Sequence, residues 1–196
     1  MCTRKKIKFD SLLLATFLAT IFYASTYPYI HKHIISSVSD TFISLNQIAN
    51  CLSVIIFSKL WNTRGDKLYN EFVKLCVCES LLGITLAIAV TQTHNWLCYY
   101  IADTWIFCLV SRNIICGGIR LKNIRYTGNA REKFDNNQNI ASAVATLIGS
   151  VIALVLKLDM ETMIWIATLG NCTDNLIYAT AYVNTKRGIE NGRNKG

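Results

Sequence analysis

Residues 59–91 read KLWNTRGDKLYNEFVKLCVCESLLGITLAIAVT. Lys59, Arg64, Lys67 and Lys74 crowd its first half, and from Leu75 to Thr91 the only charge is Glu79. A basic segment running into an apolar stretch of about 20 residues is the pattern of a helix entering a bilayer from the cytoplasm. The same pattern recurs outward in both directions. Six apolar stretches lie at roughly 10–30, 41–61, 72–91, 96–118, 138–157 and 162–183, each near the ~20 residues a bilayer requires. Arg4, Lys5, Lys6 and Lys8 precede the first. Arg112, Arg120, Lys122, Arg125, Arg131 and Lys133 surround the join of the fourth and fifth, and Lys186, Arg187, Arg193 and Lys195 follow the sixth. Lys32 and Lys157 alone fall on the opposite side. The expected arrangement is an all-α membrane protein with six spans and both termini in the cytoplasm, in the cell membrane.

Composition agrees with this. Charged residues make up 16% of the 196, against about 25% in a soluble domain, and hydrophobic residues 52%. Topology uses the basic residues fully, so the +8 net charge does not point to nucleic acid. Residues 1–185 are expected to form one bundle, and 186–196 a disordered cytoplasmic tail. The segment Arg120–Asn137 reads as a partly helical surface join. The first span outruns a cleavable signal core, and Tyr23, Tyr27 and Tyr29 suit an interfacial belt at its outer end. The eight cysteines include no CxxC pair and read as small packing residues rather than a metal or disulfide framework. There is no HExxH, no GxSxG and no Gly-rich phosphate loop, so no enzyme is expected, and no cofactor or metal.

The polar residues inside the spans carry the functional reading. Thr16, Thr20, Tyr23 and Tyr27 form one helical stripe, and Asn46, Asn50 and Ser53 another. Asn171, Asp174, Asn175, Tyr178 and Tyr182 form a broader face on the sixth span. Such stripes face a neighbouring helix or a watery cavity. Three carboxylates, Glu79, Asp103 and Asp174, fall within spans, where a charge costs at least ~2.5 kcal/mol on insertion scales. They suit proton coupling or cation binding, or else hydrogen-bond to a neighbouring helix. Ala141, Ala145 and Gly149, at spacing four, favour close helix contact. His31 and His33 read as outer-loop residues.

The join of the second and third spans reads Ser58-Lys-Leu-Trp-Asn-Thr-Arg-Gly-Asp-Lys67. It resembles the signature loop of the major facilitator superfamily, Gly-x-Leu-x-Asp-Arg-x-Gly-Arg-Lys. Leu60, Gly65 and Lys67 match. Ser58 stands for the first Gly, Asn62 for the Asp, and Thr63 and Asp66 for the two arginines, with Arg64 at a free position. Arg112 and Gly118 are similar to the Arg-then-Gly motif of proton-linked members.

The resemblance implies half of such a fold, two inverted three-helix repeats matching the N-terminal half. Spans one, two, four and five would then line a cavity, with Thr20, Tyr23, Tyr27, Asn46, Asn50 and Asp103 as its candidates. Asp103, Arg112, Asp174 and Glu79 are the proton-coupling candidates, the last two lying peripherally. The implied function is a half-size, proton-linked permease for a small solute, working as a homodimer or with a second six-helix chain. The mostly neutral and aromatic cavity candidates mildly favour a neutral or cationic solute. The alternative is a non-transporting protein derived from a permease half: an accessory, regulatory or immunity-like factor, or a truncated remnant.

Overall fold

The computed structural model describes residues 10–36 and 39–193. The expectations on Cys2, on Arg4, Lys5, Lys6 and Lys8, and on residues 194–196 lie outside the described residues. The chain is helical almost throughout: α1 Ser11–Ile35, α2 Asp40–Asn70, α3 Phe72–Thr93, α4 Trp96–Ile106, a π-helical turn Phe107–Ser111, α5 Arg112–Arg125, α6 Asn129–Leu156 and α7 Met160–Arg193. α4, the π turn and α5 join into one rod, so six rods correspond to the six apolar stretches. Among the described residues, α1, α2, α3, the α4–α5 rod and α6 are long and apolar enough to cross a membrane. α7 is not one of these five. Its broad polar face, Asn171 to Tyr182, lowers its hydropathy.

Short turns separate the rods. His94 takes a left-handed conformation after α3, and the Asn95 side chain accepts from the Cys98 N–H at 3.1 Å to cap α4. Gly128, with φ +53°, supplies the sharp turn into α6. Asp159 caps α7, accepting from the Thr162 N–H at 2.8 Å and from its hydroxyl at 2.9 Å.

Packing is organised around α1, which lies against α6 and α7. The α4–α5 rod lies against α2 and α3, and α3 lies against α7. The α1–α6 contact depends on small residues. Ala145 and Gly149 are buried, and a Cβ added to Gly149 would sit 2.6 Å from the Ile21 carbonyl oxygen. Gly170 takes the Phe22 side chain in the same way on α7.

The core is apolar at its two ends. One cluster holds Leu12, Phe72, Cys76, Ile114, Leu121, Phe134, Ala181 and Tyr182. The other holds Ile30, Ala87, Val90, Tyr100 and Ile164. A polar layer with Glu79, Ser80, Ser111 and Asn175 lies inside the bundle. The outer surface is apolar, with Ile55 66% and Leu154 69% exposed. Water would not tolerate so many bare aliphatic side chains, and lipid would.

Three expectations are corrected. The stretch Ser58–Lys67 is not a loop: α2 runs through it to Asn70, with one non-helical residue at Arg64 (φ −128°, ψ 18°). The helix α7 continues past Lys186 to Arg193, where a disordered tail was expected. His31 lies inside α1 rather than in an outer loop. In each case the polar residues extend a helix beyond the bilayer-length apolar run, because Lys, Arg, Asn and Glu are tolerable helix formers once a packed helix is already nucleated.

Candidate functional site

α1 presents Tyr23, Tyr27 and His31 one turn apart. Their rings stack, with centroids 4.7 Å and 5.6 Å apart, and the His31 ring lies 6.1 Å from that of Tyr100 on α4. The Tyr100 hydroxyl accepts from the Asn46 amide at 2.5 Å, which ties in α2. An aromatic ladder therefore crosses from α1 to α4 and ends on α2. Tyr23 at its base is 57% exposed. Asp103 lies one turn beyond Tyr100 on α4.

A second contact joins α2 to the rod. Arg112 Nη2 donates to Asn50 Oδ1 at 3.0 Å, and its guanidinium lies over the Phe107 ring, 5.2 Å from the centroid. The π turn Phe107–Ser111 sits directly before Arg112, so an inserted residue re-aims this side chain. Arg112 is also reached by no carboxylate within 4.0 Å among the described residues.

Thr20 is half-buried on α1. Thr16, one turn before it, accepts from Gln138 Nε2 at 3.2 Å, and Gln138 in turn accepts from Lys122 at 2.8 Å. The start of the α1 stripe therefore faces α6, and only its Tyr23–Tyr27 part joins the ladder.

Glu79 and Asp174 are inside the bundle rather than on its lipid-facing rim. Glu79 is 3% exposed and accepts from the Ser111 hydroxyl. Asn175 donates to Ser80 Oγ at 3.2 Å, and Cys172 Sγ donates to the Ser80 carbonyl at 3.8 Å. Asp174 Oδ1 is buried with no partner among the described residues. Asp103, Glu79 and Asp174 lie on three neighbouring rods, α4, α3 and α7.

The signature-like stretch docks on α5. Trp61 Nε1 donates to Asn113 Oδ1 at 3.0 Å. Asp66 forms an ion pair with Arg120, whose guanidinium also lies 5.0 Å from the Tyr69 ring centroid. A Cβ on Gly65 would meet Arg120 at 2.9 Å, so glycine permits the approach. Ser58, Asn62, Thr63, Arg64 and Lys67 are exposed, and Leu60 is half-buried.

Sequence reasoning missed His31, Tyr100 and Asp66–Arg120. Spacing four from Tyr27 marks His31, and spacing three from Asp103 marks Tyr100. No local signal pairs Asp66 with a residue so distant in the chain.

No family model, characterised protein or solved structure matches this chain. The spanning-length helices and the apolar outer surface are those of an integral membrane helix bundle.

Proposed function

We propose that the chain is a half-size secondary transporter, a proton-linked permease for a small solute that works as a dimer or with a second six-helix chain. The observation that carries this reading is the polar contact between α2 and the α4–α5 rod, Arg112 with Asn50, together with the exposed Tyr23 of α1. Tyr23, Asn50 and Arg112 reach the surface at membrane depth, where lipid is a poor neighbour for them. A second bundle packed there would cover them and leave a polar cavity between.

The packing pattern supports the inverted-repeat reading. The first rod lies against the fifth and sixth, the fourth against the second and third, and the third against the sixth. Exchanging one with four, two with five and three with six maps these five main contacts onto one another, whereas the lesser contacts of the second rod with the third and of the fourth with the sixth have no counterpart of equal size. Two three-helix repeats of opposite orientation pack in this way. Asp103, one turn beyond Tyr100 on the same helix, is the proton-exchanging group of this reading.

The test is solute flux by the purified chain in vesicles under an imposed pH gradient. Gradient-driven flux that is lost in Asp103→Asn supports the proposal. Flux indifferent to the gradient, or to Asp103, removes proton coupling.

One observation favours the second reading, a non-transporting membrane protein. Trp61–Asn113 and Asp66–Arg120 fasten α2 to α5 within one chain, which suits a static partner more than a rocking half. Native mass decides between them: a homodimer, or a one-to-one complex with another six-span chain, fits the permease. A monomer, or a complex with an unrelated protein, fits the accessory role.

A further inference from the structure

We infer that Arg112, held by Asn50, is the binding site for the anionic group of a small solute, a carboxylate or a phosphate. The inference rests on the transporter reading and names its substrate class, against the neutral or cationic solute that the cavity residues alone favour.

Arg112 lies sixteen residues after Trp96, about 24 Å along its rod, and Asn50 ten residues after Asp40, about 15 Å along α2. Both helices start at the same end of the bundle, where Phe42 packs beside Tyr100. To meet Asn50 and lie over Phe107, the guanidinium turns back toward the middle of a hydrocarbon layer ~30 Å thick. A long cation near one end of a span ordinarily reaches outward to the headgroups. This one reaches inward.

Its charge is permanent, and it has no counter-ion among the described residues. Asn50 accepts from one nitrogen, and Nε is buried with no partner. Of five N–H groups set in a fork that matches carboxylate and phosphate, most remain available. Glu79 is occupied by Ser111, and among the described residues neither it nor Asp103 pairs with Arg112. Phe107 closes one side of the guanidinium plane and Asn50 fixes its swing, so the site is held before any anion arrives. A fixed cation in a medium of low dielectric is a strong and selective anion receptor.

The full chain in phosphatidylcholine nanodiscs is the material for the test. Thermal unfolding is followed with acetate, benzoate and inorganic phosphate, and with acetamide and benzamide as uncharged counterparts. At least one anion raises the melting temperature saturably, and its counterpart does not. Arg112→Gln raises the Kd for that anion at least about tenfold. Asn50→Ala, at an exposed position, weakens it in the same direction and carries the test if Arg112→Gln fails to fold. Arg112→Lys, which keeps charge but loses the fork, falls between.

Equal stabilisation by anions and amides, or an anion response unchanged in both variants, overturns the inference. So does stabilisation supplied by phosphatidylglycerol alone and lost in Arg112→Gln, which would assign the site to a lipid headgroup. Gradient-driven flux is scored separately. An anion bound through Arg112 without flux sinks the transport reading and leaves the anion site standing. Flux that survives Arg112→Gln does the reverse.

Discussion

At the residue scale, Gly149 and Gly188 make opposite predictions from the same helix-forming chemistry. A side chain at Gly149 drives into the α1 backbone, so Gly149→Val is expected to cost about 1–3 kcal/mol. Among the described residues nothing lies within 4 Å of a Cβ at Gly188, so Gly188→Ala is expected to be stabilising by up to ~1 kcal/mol. Denaturant titration of both variants in one detergent checks the pair. Asp159 offers a pH prediction. Its bonds from the Thr162 N–H and hydroxyl hold its carboxyl below the ordinary range. A depressed folded value means the cap contributes above the unfolded pKa of about 3.9 and is lost as pH falls through the folded value. Asp159→Asn keeps the acceptor without the titration, so its melting temperature should fall less than the wild type's on acidification.

At the element scale, the α2–α5 seam combines two contacts of unequal weight. Asp66 is exposed, so its pair with Arg120 should show a coupling of no more than about 1 kcal/mol in a double-mutant cycle, shrinking in salt. Trp61 and Asn113 are less exposed. Trp61→Phe leaves the Asn113 carbonyl without its donor and should cost about 1–3 kcal/mol. A larger effect at Asp66 than at Trp61, measured by unfolding, would reverse this ranking. The seam also shows where the sequence is legible. Residues 75–91 are an apolar run with Glu79 as its only charge, and α3 covers them. Residues 59–70 look like a loop because they are polar, yet polar residues extend a helix whose cost of nucleation is already met. The π turn at 107–111 leaves no mark, since Phe-Cys-Leu-Val-Ser contains neither Pro nor Gly. The α1 stripe is legible in its spacing, but its division between α6 and the aromatic ladder depends on partners far away in the chain.

At the scale of the whole molecule, orientation rests on the distribution of basic residues, and the cysteines give a direct check. Cys98 is exposed near the start of α4, on the expected outer side, whereas Cys51 and Cys78 are exposed at membrane depth. A membrane-impermeant maleimide added from outside should label Cys98 and leave Cys51 and Cys78 untouched, because thiolate does not form in lipid. Protection of Cys98 in sealed vesicles of known sidedness would invert the topology.

The low hydropathy of α7 bears on how the protein is made. A helix with Asn171, Asp174 and Asn175 on one side partitions poorly into lipid by itself. It packs on α1 and α3, which are synthesised long before it. Those two helices present Phe22 and Ser80 to Gly170 and Asn175. The first and third helices therefore act as the receiving surface for the last one, and a ribosome pausing after Leu156 would hold a five-helix assembly with a vacant slot. Damage at Phe22 should surface first as failed integration of α7, during biogenesis and before any question of activity arises.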